Sequence, residues 1–491
     1  MGLCLLGIYI IATFAIVKKK KQPIILQDVL VQDYAAEGKS LAKIDGKVIF
    51  IERVVPGDVV DIQLGKNKKD WAEAYPIKFK KYAENRVQPF CEHFGICGGC
   101  QWQMLPYEQQ LIYKQKQVAD NLTRIGKVQL PAMLPIVGAT ETAYYRNKVE
   151  YTFATKRFVP TEEFNNLKAA GLPVVNEGSY GGFHAKGMFD KVVEIYKCHL
   201  QEEPTNQLRN AVVAFCKQNN YPFYDVKNHT GWVRTMMVRM ATTGEWMANI
   251  VLGYNDEKMV NGLMDFILQQ FPTITSLLYT INPKFNDAIY DLEPIVYHGK
   301  GYILEQLEGY QFIIGPKSFF QTNTKQAEKL YSVTRDFAEL NGTQTVYDLY
   351  CGTGSIGIFL SKNAKKIIGV DTVPEAIEDA KKNAALNNIN YASFFSGDVI
   401  NICNDDFFNL HGNADVIITD PPRVGMHEKL VNKLLDIATP TIVYVSCNPA
   451  TQARDLALLD AKYAVTKIQP VDMFPHTHHI ENVVQLKLRN N

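Results

Sequence analysis

Residues 345–357 read TVYDLYCGTGSIG. Thr345–Tyr350 is a β-rich run that carries Asp348 into a loop holding Gly352, Gly354 and Gly357. A strand entering such a loop and then a helix opens a nucleotide-binding βαβ unit, because glycines allow a tight turn and close approach of a ligand. Downstream, Lys366–Val370 reads as a second strand, followed by a helix through Glu375 to Asn387. Asp415–Thr419 is a strand ending at Asp420-Pro421-Pro422-Arg423, and Thr441–Val445 ends at Ser446-Cys447-Asn448-Pro449. Val483–Leu488 is the last strand. This alternation predicts an α/β domain over 306–491 built on a doubly wound parallel sheet. Ligands of such sheets bind at the carboxyl ends of the strands, where all these polar residues fall.

The G-x-G-x-x-G spacing admits two ligands. One is a dinucleotide, with Asp371 on a ribose hydroxyl, as in an NAD-dependent oxidoreductase with an iron–sulfur relay. The other is S-adenosylmethionine (SAM). Asp348 bears on the choice: a carboxylate near a helix start repels a pyrophosphate and suits the cationic methionine portion of SAM. The Pro-Pro turn after Asp420 either fixes a carboxylate and a guanidinium in a cleft or is a plain surface turn.

Cys447 lies at a strand end before a helix, where donors and a dipole are available to lower a thiol pKa. Carbon 5 of a pyrimidine is a poor nucleophile. A thiolate that adds at carbon 6 makes an enolate, and carbon 5 can then take a methyl group. Glu481, in HTHHIE at 476–481, is the nearest candidate to remove the carbon-5 proton afterwards. Taken alone, Cys447 also reads as a small buried residue.

The chain has 491 residues, of which 46% are hydrophobic and 21% charged. That predicts about three domains with sizeable cores and excludes disorder and disulfide-stapled mini-folds. Lys and Arg total 52 against 51 Asp and Glu, so contact with nucleic acid must use local patches. One such patch lies in the later part of a small β-barrel expected over 23–82 and runs just past it. It holds Lys66, Lys68, Lys69, Trp71, Tyr75, Lys78, Lys80, Lys81 and Arg86. Lysines on a solvated strand edge give the same pattern as an oligonucleotide-binding barrel, in which cations hold phosphates and rings stack on bases.

Residues 83–305 read as an α+β region. It contains a helical stretch near Tyr107–Ile125 and two alternating strands, 145–151 and 232–239, each predicted to bury one face and display Arg and Lys on the other. It opens with CEHFGICGGC, which places Cys91, Cys97 and Cys100 within ten residues. An odd total of nine cysteines points to a reducing compartment, where clustered thiols are metal ligands sooner than disulfides. Cys198 is the candidate fourth ligand. The spacing departs from paired zinc knuckles and leans towards iron–sulfur.

Residues 1–17 are uncharged and apolar, and Lys18–Lys21 follow. The stretch sits at the lower limit of a membrane span. We read 1–22 as an extension from an upstream start. No membrane partner is expected unless 1–17 is a genuine anchor, and either reading keeps the catalytic part cytoplasmic.

The ordered set CEHFGICGGC with Cys198, SFFQTN at 318–323, DLYCGTGSIG, DPPR, VSCNP and HTHHIE resembles the SAM-dependent RNA uracil-C5 methyltransferases. It is most similar to the 23S ribosomal RNA enzymes with a TRAM domain and an iron–sulfur cluster. The resemblance covers 23–491. It implies a class I (Rossmann-like) SAM domain, an OB-like TRAM barrel that binds RNA over 23–82, and a central RNA-binding region over 83–305. It implies a 4Fe–4S cluster on Cys91, Cys97, Cys100 and Cys198. Gln321, Tyr350, Asp371 and Asp420 would contact SAM, with Asp398 near the adenine. Cys447 would be the nucleophile and Glu481 the proton acceptor. The partner would be RNA, 23S ribosomal RNA first and transfer RNA as the alternative, with no protein partner required. Where the family carries Glu, this chain has the shorter Asp371.

Overall fold

The computed structural model describes residues 22–489. The hydrophobic N-terminal stretch, and with it the start-site reading, lies outside the described residues. No helix among the described residues is long and apolar enough to cross a membrane. The chain divides into two compact units, one formed by the described residues up to Ala35 with Lys39–Glu84, the other by Ala36–Gly38 with everything from Asn85.

The first unit is a six-stranded sheet of β1 (Ile25–Leu30), β2 (Asp33–Tyr34), β3 (Ser40–Ile44), β4 (Lys47–Ile51), β5 (Val59–Asn67) and β6 (Trp71–Lys81), in the order β1-β5-β6-β4-β3-β2. Alternate residues point inward, as a two-residue period demands. Ile49 and Ile51, Val60 and Ile62, and Ala72 and Ala74 are all buried. Lys66 lies near the end of β5 and Lys68 and Lys69 in the turn before β6, all three exposed, and Lys78, Lys80 and Lys81 are exposed on β6.

The second unit contains two seven-stranded sheets. The first comprises β7 (Lys148–Lys156), β8 (Glu177–His184), β9 (Val192–Glu194), β10 (Val233–Met240), β11 (Trp246–Leu252), β12 (Ser276–Ile281) and β13 (Ile295–Gly299). Their order is β13-β12-β11-β10-β7-β8-β9. Helices Thr205–Gln218 and Glu257–Gln270 cover one face through Leu208, Val212, Leu263 and Ile267.

The arginines of β10 are not displayed to solvent. Arg234 is 1% and Arg239 3% exposed. The other face of this sheet is also packed: Met237, Met247 and Leu278 belong to the core of the C-terminal domain. Arg234 donates to Asn282 O (2.7 Å), Lys284 O (2.6 Å), Asn286 O (2.9 Å) and Asp287 Oδ1 (2.8 Å). Arg239 donates to Ser318 O. Polar alternation here marks a second protein layer, which the strand pattern alone does not distinguish from water.

A hairpin of β14 (Ile303–Leu307) and β15 (Tyr310–Ile314) leads to the helix Thr324–Ala338, capped by Asn323. The second sheet then runs β16 (Thr345–Leu349), β17 (Lys366–Asp371), β18 (Ala392–Ser396), β19 (Val416–Thr419), β20 (Thr441–Ser446), β21 (Tyr463–Val471) and β22 (Glu481–Leu488). Its order is β18-β17-β16-β19-β20-β22-β21. Residues on one face, such as Val346, Ile418 and Val443, enter one core, and their neighbours Tyr347, Ile417 and Ile442 enter another. That is a sheet covered on both faces. It is parallel except at its end, where β22 inserts antiparallel between β20 and β21. The strand order reverses between β16 and β19, which opens the crevice used by ligands.

Candidate active site

The glycine loop is fastened to the neighbouring strand. The N–H groups of Tyr350 and Cys351 donate to Val370 O at 2.9 and 3.2 Å. Tyr350 (φ 63°), Gly352 (φ 53°) and Gly354 (φ 76°) all lie in the left-handed region, where glycine is at ease and tyrosine must be held. A Cβ on Gly352 would meet nothing within 4 Å, so the loop offers bare backbone to a ligand. Asp371 closes the turn. Its Oδ2 accepts the Gly352 N–H and its Oδ1 the Val373 N–H, both at 2.9 Å. The shorter side chain is thus folded onto the loop, and each oxygen keeps a further lone pair.

Asp348 is fully buried. Its Oδ2 accepts the Gly357 N–H at 2.9 Å, and its Oδ1 has no hydrogen-bond partner. Burial raises its carboxyl to about 7, and Asp420 and Asp371 add to the rise. Asp348 therefore braces the helix start from beneath the loop. A loop backed by buried carboxylates suits a cationic nucleoside and repels a pyrophosphate.

Asp420 stands across the switch point, its N–H 3.4 Å from Leu349 O, and burial raises its carboxyl to about 7. The turn after it is tied down at Arg423. The Arg423 carbonyl accepts Asn448 Nδ2 (2.9 Å) and Thr451 Oγ1 (3.2 Å), and its guanidinium meets His479 Nδ1 at 2.8 Å. Gln321 is buried, and its carbonyl accepts Asn147 Nδ2 at 2.8 Å. Thr353 Oγ1 reaches Phe319 O at 3.4 Å, which brings the SFFQTN segment to the glycine loop. Asp398 caps the short helix Val399–Ile402 by accepting the Ile400 N–H at 2.9 Å.

Cys447 is half-buried between β20 and the helix Pro449–Leu459. Its thiol is not lowered by the helix start. Burial above all, then the Glu481 and Asp420 carboxylates, push it up to about 12, against the pull of Arg423. Glu481 opens β22 and is 5% exposed. Burial and Asp420 hold its carboxyl well above the usual range, with Arg423 opposing. These mutual influences bring Cys447, Glu481, Asp420 and Arg423 within electrostatic reach of one another at the strand ends. Tyr331 faces the same carboxylates: burial raises its phenol, with Asp420, Asp348 and Glu481 contributing, and its hydroxyl lies 3.0 Å from Ser355 Oγ. Its position on the core side of a helix gives no sequence signal.

The profile of the tRNA (uracil-5-)-methyltransferase family matches residues 299–489. An uncharacterised RNA methyltransferase of Bacteroides thetaiotaomicron is 50% identical over 459 residues, covering 93% of this chain and all of the relative. One from Porphyromonas gingivalis is 48% identical over 460 residues, covering 93% and 98%. The chain belongs to the SAM-dependent RNA uracil-C5 methyltransferases. Among solved structures, the methyltransferase is similar to the Pyrococcus abyssi tRNA (uracil-54, C5)-methyltransferase in complex with S-adenosyl-L-homocysteine. The TM-score is 0.72 at 27% identity, over 94% of this chain and 100% of that one. The methyltransferase therefore uses SAM, and the dinucleotide alternative falls.

In its central region the methyltransferase gathers the four expected cysteines. Cys91, Cys97, Cys100 and Cys198 line one cavity of about 880 Å³. Burial raises every one of these thiols, Cys97 to about 11 and Cys100 to about 12, and neighbouring thiols add to the rise at Cys91, Cys97 and Cys100. Arg209 and Arg146 act on Cys198 in the opposite sense. Among the described residues no three His, Cys, Asp or Glu side chains close on a single metal ion.

Proposed function

We propose that this methyltransferase modifies carbon 5 of a uridine in 23S ribosomal RNA, in the cytoplasm, through a covalent bond from Cys447 to carbon 6. The meeting of Cys447, Glu481, Asp420 and Arg423 at the strand ends carries this reading. SAM supplies an electrophilic methyl group, and Gln321, Tyr350, Asp371 and Asp420 hold it against the glycine loop.

The target base is flipped out of its stack to meet this cluster. Cys447 Sγ bonds to carbon 6, and its proton passes to the Asp420 carboxylate, which leaves Glu481 free for the later step. Arg423 stabilises the negative charge that grows on a base carbonyl. Carbon 5 takes the methyl group. The Glu481 carboxylate then removes the carbon-5 proton, the C5=C6 double bond re-forms, and the sulfur leaves with its electron pair. With the thiol near 12 in the free protein, the nucleophile is quiet until a base arrives to share its charge.

The exposed lysines of β5–β6 and the rings of Tyr75 and Tyr82 support an RNA-binding role of TRAM type for the first unit. The four cysteines suit a 4Fe–4S cluster. They line one cavity, and Arg146 and Arg209 favour the thiolate of Cys198. Such a cluster would shape the RNA-binding surface. Transfer RNA is the second reading, favoured by the Pyrococcus abyssi neighbour, whose likeness spans 94% of this chain.

Mass spectrometry of 23S ribosomal RNA and transfer RNA from cells lacking the gene separates the two targets, since one of them loses a 5-methyluridine. Cys447→Ala should abolish methylation while SAM still binds. Glu481→Gln should trap a protein–RNA adduct that survives a denaturing gel. Full activity of Cys447→Ala overturns the mechanism.

A further inference from the structure

Glu481 opens β22, and the loop that delivers it, residues 472–480, is gripped from outside its own sheet. Gln110 is fully buried on the helix Tyr107–Asn121. Its Oε1 accepts the His476 N–H at 2.8 Å. Its Nε2 donates to Trp102 O (3.1 Å) and Leu105 O (3.0 Å) and lies 3.1 Å from His476 Nδ1. From the other side the N–H groups of Gln101 and Trp102 donate to His476 O at 2.8 and 3.0 Å. Tyr145 OH donates to Pro475 O at 3.0 Å. Lys114 Nζ donates to Asp472 Oδ1 (2.6 Å) and Phe474 O (3.0 Å), and Tyr107 OH donates to Asp472 Oδ2 (2.8 Å).

These bonds hold a strained point. His476 has φ 64°, a left-handed conformation that a non-glycine residue keeps only when its surroundings over-determine it. From there the loop has little slack. The Thr477 N–H and Oγ1 both donate to Phe474 O, and the His479 N–H donates to Thr477 Oγ1. Glu481 follows two residues later. Cys447 and the glycine loop hang on other strands and share none of these bonds.

We propose that Gln110 is a positioning residue for proton abstraction, clamping His476 so that the Glu481 carboxylate meets the carbon-5 proton. This rests on the covalent reading above. The step served breaks the C5–H bond, gives the proton to Glu481, re-forms C5=C6 and expels the Cys447 sulfur. Attack and methyl transfer come before it and do not use Glu481 as a base. A small misplacement of a base costs rate steeply, so the variant should stall after methylation.

The full-length chain carrying Gln110→Met is mixed with methyl-labelled SAM and RNA from cells lacking the gene. We expect one round of methyl transfer within about twofold of wild type. Turnover should fall at least about tenfold, and a labelled protein–RNA adduct should accumulate on a denaturing gel. Tyr145→Phe removes only one hydroxyl and should give the same adduct at a lower level, which keeps the test open if Gln110→Met does not fold. Turnover and single-round transfer falling together without adduct, or unchanged turnover in a folded Gln110→Met, overturns the clamp. Absence of adduct in Glu481→Gln as well points instead to failure of the covalent reading.

Discussion

The two seven-stranded sheets of the second unit both bury charge, with opposite signs and opposite treatment. In the first, the two terminal nitrogens of Arg234 are well partnered: three carbonyls and Asp287 accept from them, and the Tyr224 ring centroid lies 4.0 Å away. In the second, Asp348, Asp420 and Glu481 crowd together, and all three carboxyls are pushed up. A buried charge held by several partners is architecture. Buried like charges that raise one another's pKa mark a candidate functional site.

The contrast breaks most visibly at Asp420. Asp420→Asn removes a carboxylate that raises the Cys447 thiol and is proposed to hold SAM. Turnover should fall by about 10²-fold or more. The pH midpoint for alkylation of Cys447, followed on its own peptide by mass spectrometry, should move down. An unchanged midpoint would separate the two residues. Arg234→Met tests the other sheet. Stranding three carbonyls and Asp287 should cost about 3 kcal/mol, read as a lower denaturation midpoint, with the ligand-binding loops intact once folded. A variant as stable as wild type would mean that the arginine is not architecture.

Asp348 gives a smaller, signed effect. Its folded pKa of about 7 lies above its ordinary value of 3.8, so the folded state holds a proton that the unfolded state gives up. Its stabilising contribution is complete below about pH 4 and is lost as pH rises through 7. Asp348→Asn should shrink the stability loss between pH 5 and pH 8, measured by urea midpoints without SAM. An unchanged slope would remove Asp348 from the carboxylate group. The smallest effect belongs to the first unit: Lys68→Ala with Lys69→Ala should weaken RNA binding a few-fold. It should also flatten the salt dependence, by about 0.7 in slope for each phosphate no longer held.

What is legible in the sequence follows from locality. The glycine loop, the DPPR turn and Cys447 all sit where a strand ends, and a strand end needs residue types that can be recognised within ten positions. The order of the last strands is less accessible. The insertion of β22 beside β20 depends on pairing across the whole hairpin with β21, and β18 and β21 lack a clear period. The environment of Cys447 differs from its local reading because a helix start is local, whereas the Asp420 and Glu481 carboxylates arrive from other strands. The arginines of β10 are buried against expectation because an alternating strand looks the same whether water or a second domain covers its polar face. Gln110 and Lys114 look like ordinary polar positions of a helix, and nothing nearby announces their partners.

The grip of Gln110 on His476 joins residues 366 positions apart. The segment matched by the family profile, 299–489, holds the sulfur, the carboxylates and the glycine turn, yet lacks the hand that steadies its last loop. Cut free, that segment would own the proposed nucleophile and base and still be an unfinished tool. On the ribosome the holder is made long before the piece it holds, so the enzyme gains its competence only as the final strand is threaded into place.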